Sequence, residues 1–166
     1  MEVMDILLKR RSIRAFKEEP IERKELEKIV EAGRFAPTAR NVQPWKFVVV
    51  TDKDTLKKLA ALTDNGKFLV ESAAAIAVLC SDTKYYLEDG CSATVNMLNA
   101  AASLGIGSCW VAGDKKEYSS EVLKLLNAPE GFKLISIIAL GYPKEEGAFR
   151  KAEKKPLQDI LRWEKF

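Results

Sequence analysis

Four short apolar runs, separated by segments with helical periodicity, constrain this chain more than any other feature. Phe47–Val50 reads as a continuous strand, Ala73–Cys80 and Gly107–Ala112 as buried strands, and Phe132–Leu140 as a fourth. Val3, Ile6 and Leu7 repeat at helical spacing ahead of the basic run Lys9–Arg11, where cations suit a helix C-terminus. A second helix follows Pro20–Ile21, with Leu26, Ile29, Val30 and Gly33 on one narrow face. Thr51 and Asp54 resemble a capping box for a helix whose inner face is Leu56, Leu59 and Ala60. The longest helix is predicted from Tyr85 to Leu104, apolar nearly all round between Val95 and Ala102 and closed by Gly105. Ser119–Leu126 and the tail residues Leu157, Ile160 and Leu161 supply the remaining helical spacing, ahead of Trp163.

This alternation predicts a layered α+β or α/β domain with helices as the larger share. No repeat, linker or low-complexity segment interrupts the 166 residues, so residues 1–166 are expected to form one domain. A chain of that length buries about 70% of its unfolded surface. The longest helix carries more apolar surface than one small sheet can cover. Its spare face could meet a second copy of the chain, or disappear into a broad monomer core.

The sequence contains no histidine, which excludes a Ser-His-Asp triad and a Cys-His dyad. Cys80, Cys91 and Cys109 lack C-x-x-C spacing and sit in apolar surroundings, which fits buried thiols in a reduced compartment and no metal site. If the chain is an enzyme, its proton and electron chemistry is expected to come from substrate or cofactor. Asp5 interrupts the short N-terminal apolar run, which argues against a targeting signal, and Ala73–Cys80 is too short to span a bilayer. A cytoplasmic protein that binds neither membrane nor nucleic acid is expected. The net charge of +3 is small, but two basic clusters stand out: Lys9, Arg10, Arg11 and Arg14, and Arg150, Lys151, Lys154 and Lys155. Two small clusters suit a compact anion better than an extended polyanion.

Gly105-Ile106-Gly107 does not make a dinucleotide fingerprint, because it follows a helix, precedes a strand, and has Trp110 at the sixth position. Arg10-Arg11-Ser12-Ile13-Arg14 places three guanidiniums and a hydroxyl within five residues. Arginine binds phosphate through paired, charge-assisted hydrogen bonds, so the segment reads as a phosphate cradle without glycines; an exposed helix-end charge cluster is the alternative. Ala36-Pro37-Thr38-Ala39-Arg40-Asn41-Val42-Gln43-Pro44-Trp45 is a polar loop whose amides suit a heterocycle, or else a connector pinned by buried Trp45. Gly107–Gly113 ends a strand in small residues. Tyr85, Tyr86, Glu88 and Asp89 read as the solvated start of the longest helix.

Together these stretches resemble the flavin-dependent nitroreductase family. The resemblance rests on R-R-S-I-R at 10–14, A-P-T-A-R-N-V-Q-P-W at 36–45, L-G-I-G-S-C-W-V-A-G at 104–113, A-L-G-Y-P at 139–143 and K-K-P-L at 154–157, in family order along the whole chain. It implies an α+β, layered α/β/α fold with a central, mainly antiparallel sheet flanked by helices. It also implies an intertwined homodimer with one FMN in each of two interface sites. By the family pattern Arg10, Arg11, Ser12 and Arg14 hold the phosphate and ribityl region, and Lys154 and Lys155 reach the same phosphate. Pro37, Thr38, Ala39 and Asn41 approach the flavin from the partner subunit, and Asn65 matches a ring-contacting asparagine. Trp110, Val111, Ala112 and Gly113 lie along the isoalloxazine.

The chemistry so implied is ping-pong: NADH or NADPH delivers hydride to flavin N5, and an electron-poor small molecule such as a nitroaromatic or quinone then takes the electrons. No catalytic side chain is implied. Longer relatives carry a helical excursion over the flavin, whereas Ser81–Glu88 here passes almost directly from strand to helix. The substrate side is therefore open or covered by a segment such as Tyr85–Leu87. An FMN carrier or sensor with little turnover, and a specialised relative acting on flavin or on halogenated or unsaturated substrates, are the alternative readings.

Overall fold

The protein is described by a computed structural model covering residues 2–166. Its elements are α1 (Val3–Lys9), α2 (Arg23–Arg34), β1 (Trp45–Val50), α3 (Lys53–Leu62), β2 (Ala74–Ser81), α4 (Tyr86–Ser103), β3 (Gly107–Ala112), α5 (Ser119–Leu125), β4 (Phe132–Gly141) and α6 (Leu157–Ile160). Two 3-10 turns, Ala39–Asn41 and Lys67–Glu71, complete the fold; the second is not legible as an element in the sequence.

The strands form one sheet in the order β1-β2-β4-β3, and every neighbouring pair is antiparallel. Side chains alternate between two cores. Ala75, Ala77 and Leu79 of β2 point toward α3 and α5, where they meet Leu56, Leu59 and Val122. Ala74, Ile76, Val78 and Cys80 point toward α2 and α4, where they meet Ile29, Met97 and Ala101. Helices on both faces explain why β2 and β4 are apolar at nearly every position rather than at alternate ones. Fully burying Ile76, Ile137 and Ile138 contributes about 1.5–3 kcal/mol each.

Helix boundaries follow local chemistry. α4 ends as expected at Gly105, whose φ of +73° suits glycine. The Gly105 and Ile106 amides donate to the carbonyls of Ala102 and Ala101, closing the last turn in a Schellman motif. The start of α3 differs from the expected Thr51–Asp54 box. Asp52 is the cap, because its carboxylate reaches the Thr55 amide at 2.8 Å and the Thr55 hydroxyl at 2.7 Å.

The two edges of the sheet are finished differently. At the β3 edge, Ser12 forms an isolated parallel bridge with Ser108, and the Ile13 amide donates to the Ser108 carbonyl at 2.9 Å. The chain then runs beside the segment after β4, with the Lys17 amide donating to Tyr142 at 2.8 Å. At the other edge, among the described residues, β1 pairs only with β2. Apolar side chains of α1 (Val3, Met4, Leu7, Leu8), of α4 (Val95) and of the tail (Leu157, Ile160, Trp163, Phe166) are exposed. No helix among the described residues is long and apolar enough to cross a membrane.

Candidate functional site

The bridge to β3 fixes where the basic segment lies. Ile13 is buried beneath it and Phe16 is buried further on, so residues 10–14 are clamped along the β3 edge with Ser12 and Arg14 exposed. The Arg14 guanidinium sits 5.8 Å from the centre of the Phe68 ring. Burial pushes the Cys109 thiol up, while Arg14, the Ser12 hydroxyl and Arg10 pull the other way, which places that cationic group around β3. Among the described residues, Arg10, Arg11 and Arg14 make no ion pair with a carboxylate, whereas neighbouring Lys9 pairs with Asp5 at 3.0 Å. Ser108, beside Ser12, is 1% exposed and its hydroxyl has no hydrogen-bond partner among the described residues.

The C-terminal end of β3 is held from two sides. The Tyr118 hydroxyl donates to the Ala112 carbonyl and the Ser119 hydroxyl to the Gly113 carbonyl. The Gly113 amide donates to Ile135 at 3.1 Å, drawing the turn against β4. Asn65 is exposed in the bend after α3, next to Asp64, which pairs with Lys116 at 3.8 Å. Their approach sets the Asn65 bend near the turn after Gly113. Trp110, Val111, Ala112, Gly113, Asn65, Arg14 and Ser12 therefore gather along one edge of the sheet.

The polar loop lies elsewhere. Trp45 is buried and pins its end, and the Ser81 amide donates to Pro44 at 3.0 Å. Arg40, Asn41 and Gln43 all have positive φ, at 53°, 57° and 52°. The structure corrects the reading of Asp89 as part of a solvated helix start. Glu88 is exposed, but Asp89 is 4% exposed and tied to the loop. Its Oδ2 accepts from the Thr38 hydroxyl and its Oδ1 from the Ala39 amide, both at 2.9 Å. The Thr38 oxygen in turn accepts from the Gln43 amide at 3.1 Å. Tyr86 is also committed, donating to Asp114 at 3.0 Å with Lys133 over its ring.

β1 and β3 are opposite edges, separated by two strands, or roughly 14 Å at ordinary strand spacing. Register also sets the loop and the basic segment at opposite ends. Trp45 pairs with Cys80, which pairs with Lys133, whereas Ser108 pairs with Leu140, which pairs with Ala74. One chain thus holds its two polar stretches at diagonal corners of the sheet. Lys154 and Lys155 lie on the exposed tail, and among the described residues no hydrogen bond or ion pair joins that tail to residues 10–14. A cleft of about 1280 Å³ contains none of the expected site residues; Phe16, Ile21, Leu26, Val30, Val49 and Val70 give it an apolar floor.

The profile of the nitroreductase family matches residues 7–95, and a second, described as "Putative TM nitroreductase", matches residues 76–165. The chain belongs to the nitroreductase family. An Archaeoglobus fulgidus relative named "Putative NADH dehydrogenase/NAD(P)H nitroreductase" is 38% identical, with 99% of each chain covered. A crystal structure of a protein of the same name from Parabacteroides distasonis superposes with a TM-score of 0.92 at 28% identity, covering 99% of this chain and 98% of that one. A Desulfovibrio desulfuricans family protein, solved in complex with FMN, gives 0.86 at 28% identity over 100% and 98%. The nitroreductase-like α+β layered fold implied by the sequence resemblance is the fold observed.

Sequence reasoning missed one residue of this nitroreductase-family chain that the polar loop depends on, Asp89. The signal is present in the helix period. Counting back by fours from Ala101 through Met97 and Ala93, all buried, lands on Asp89. An acidic residue on the buried stripe of a helix must find donors, and Thr38 and Ala39 supply them.

Proposed function

We propose that this nitroreductase-family protein is an FMN-dependent NAD(P)H oxidoreductase working as a homodimer. One FMN would lie at each of two intersubunit sites, and an electron-poor small molecule such as a nitroaromatic or quinone would accept the electrons. The observation that carries this reading is the division of the polar residues between diagonal corners of the sheet. A second copy can bring its loop to the cationic edge of the first, which the chain cannot do alone.

The residues present fit FMN. Arg10, Arg11 and Arg14, unpaired with carboxylates among the described residues, offer a phosphate charge-assisted bonds of about 1.5–3 kcal/mol each, and the exposed Ser12 hydroxyl adds a donor. The orphaned Ser108 hydroxyl lies beside them. The ring would run along Trp110, Val111, Ala112 and Gly113, with Asn65 from the adjoining bend. Pro37, Thr38, Ala39 and Asn41 would come from the second copy, and Lys154 and Lys155 would reach the phosphate from the basic stretch of the tail. Bound FMN supplies the redox chemistry, taking two electrons from NADH or NADPH and passing them to the acceptor. The chain's own residues bind, orient and supply N–H donors that offset negative charge on the ring. No side chain has to act as nucleophile.

The exposed apolar face of α1, Val95 on α4, the apolar tail and the apolar cleft support an assembly of two copies. The test is direct. The purified protein should be yellow, or become so with added FMN, and anaerobic NADH or NADPH should bleach it. Stopped-flow reduction with each nicotinamide, followed by an acceptor panel, then assigns donor and acceptor. A colourless protein that refuses FMN would sink the proposal.

A further inference from the structure

We infer that Asp89 is a positioning residue: it fixes the loop 37–43 in the geometry that this loop presents to FMN. The inference rests on the flavin reading and assigns a role to a residue buried behind the loop. Asp89 is buried on α4, and its two carboxylate oxygens accept separate bonds from Thr38 and Ala39. Thr38 passes the restraint on, since the oxygen that donates to Asp89 also accepts from the Gln43 amide. Three links therefore run from a rigid helix to the far side of the loop.

The loop needs such a restraint. Three non-glycine residues with positive φ occur within four positions, a backbone that persists only when its surroundings over-determine it. Bonds within the loop, such as that from the Gln43 side chain to Asn41 Oδ1 at 3.1 Å, cannot anchor it to the body of the protein, and the bond from the Ser81 amide holds only its end at Pro44. The Thr38–Asp89 bond spans 51 positions of sequence and can. A carboxylate suits the place because both neighbours donate. Asp89→Leu, close in size, removes both acceptors, whereas an asparagine keeps both contacts, its oxygen on the Ala39 amide and its NH2 donating to the Thr38 hydroxyl, which also accepts.

The experiment uses the full-length protein. Hydrogen exchange on the apo form, which needs no cofactor, should show the Ala39 and Gln43 amides of Asp89→Leu exchanging at least about tenfold faster. FMN titration should show Kd raised about tenfold or more, and the visible band of the FMN that still binds should change shape. Thr38→Val cuts the same series of links, so it should reproduce these losses, and the double variant should add little to either single one. Faster exchange with unchanged Kd and band, unchanged exchange, or fully additive losses would each overturn the role. Should Asp89→Leu not fold, exchange of the Gln43 amide in apo Thr38→Val decides the matter, since the FMN affinity of that variant also reports the place of Thr38 itself beside the flavin. A wild type that takes no FMN fails the flavin reading and this role with it; a failure of the latch alone is recognised by exchange that the substitution leaves unchanged.

Discussion

Replacing Gly113 by alanine tests whether the end of β3 is as tightly built as the site requires. An added Cβ would stand 2.6 Å from Leu134 Cγ, 2.9 Å from the Ile135 carbonyl carbon and 3.0 Å from its oxygen. Leu134 and Ile135 are buried in the two cores, so neither can swing aside. Relief requires the Gly113 turn to lift away from β4, which strains the Gly113–Ile135 hydrogen bond. Overpacking of this kind costs about 1–3 kcal/mol. At about 2–4 °C per kcal/mol for a domain of this size, the apo melting temperature should fall by roughly 2–12 °C. Calorimetry at matched protein concentration is the assay, because melting of an oligomer depends on concentration. FMN affinity should fall as well, since the displaced backbone is the proposed edge of the ring site. Gly105→Ala is the control. Its added Cβ meets nothing within 4 Å, but its φ of +73° costs an alanine about 1–2 kcal/mol. That variant should lose stability while keeping FMN affinity. A Gly113→Ala protein with wild-type melting and wild-type FMN affinity would refute the reasoning.

Arg10→Ala and Arg14→Ala should each weaken FMN binding by roughly 10- to 150-fold, from about 1.5–3 kcal/mol per charge-assisted contact, with the far-UV circular dichroism unchanged; unaltered affinity in both removes the phosphate cradle. Cys80 gives a pH signature, because burial, then the nearby charges of Asp89 and Cys91, raise its thiol from 9.0 to about 12. A pKa raised on folding contributes stability that is complete below pH 9.0 and lost as pH rises toward 12. Urea unfolding at rising pH should therefore cost the wild type more than Cys80→Ala above pH 9.0, and parallel losses would count against it. Leu7→Lys, on the exposed apolar face of α1, and Val95→Lys, at an exposed apolar side chain of α4, should shift sedimentation toward monomer; a wild type that already sediments as a monomer rules out the homodimer.

The strands at Gly107–Ala112 and Phe132–Gly141 are readable because an uninterrupted apolar run of that length has few other uses. The stop at Gly105 is readable because a positive φ there calls for glycine. The family motifs are equally legible, since they are local strings of residue types. Other features depend on neighbours that the local sequence does not specify. Thr51 and Asp52 are both residue types that cap helices, and it is the structure that shows Asp52 in that place, with its carboxylate on the Thr55 amide. Asp89 looks solvated among Glu88 and Tyr85 because its two donors lie about fifty positions earlier.

The sequence by itself determined the element types, the two-sided burial of the sheet, the absence of imidazole chemistry and the family. These follow from composition, period and short motifs, which act over a few residues. Only the tertiary structure decided that residues 10–14 line the β3 edge, that the loop 37–43 sits at the diagonal corner, and that Asp89 is tied to it there. Strand order and register set those positions, and they are fixed by packing between segments far apart in the chain, which no local pattern encodes.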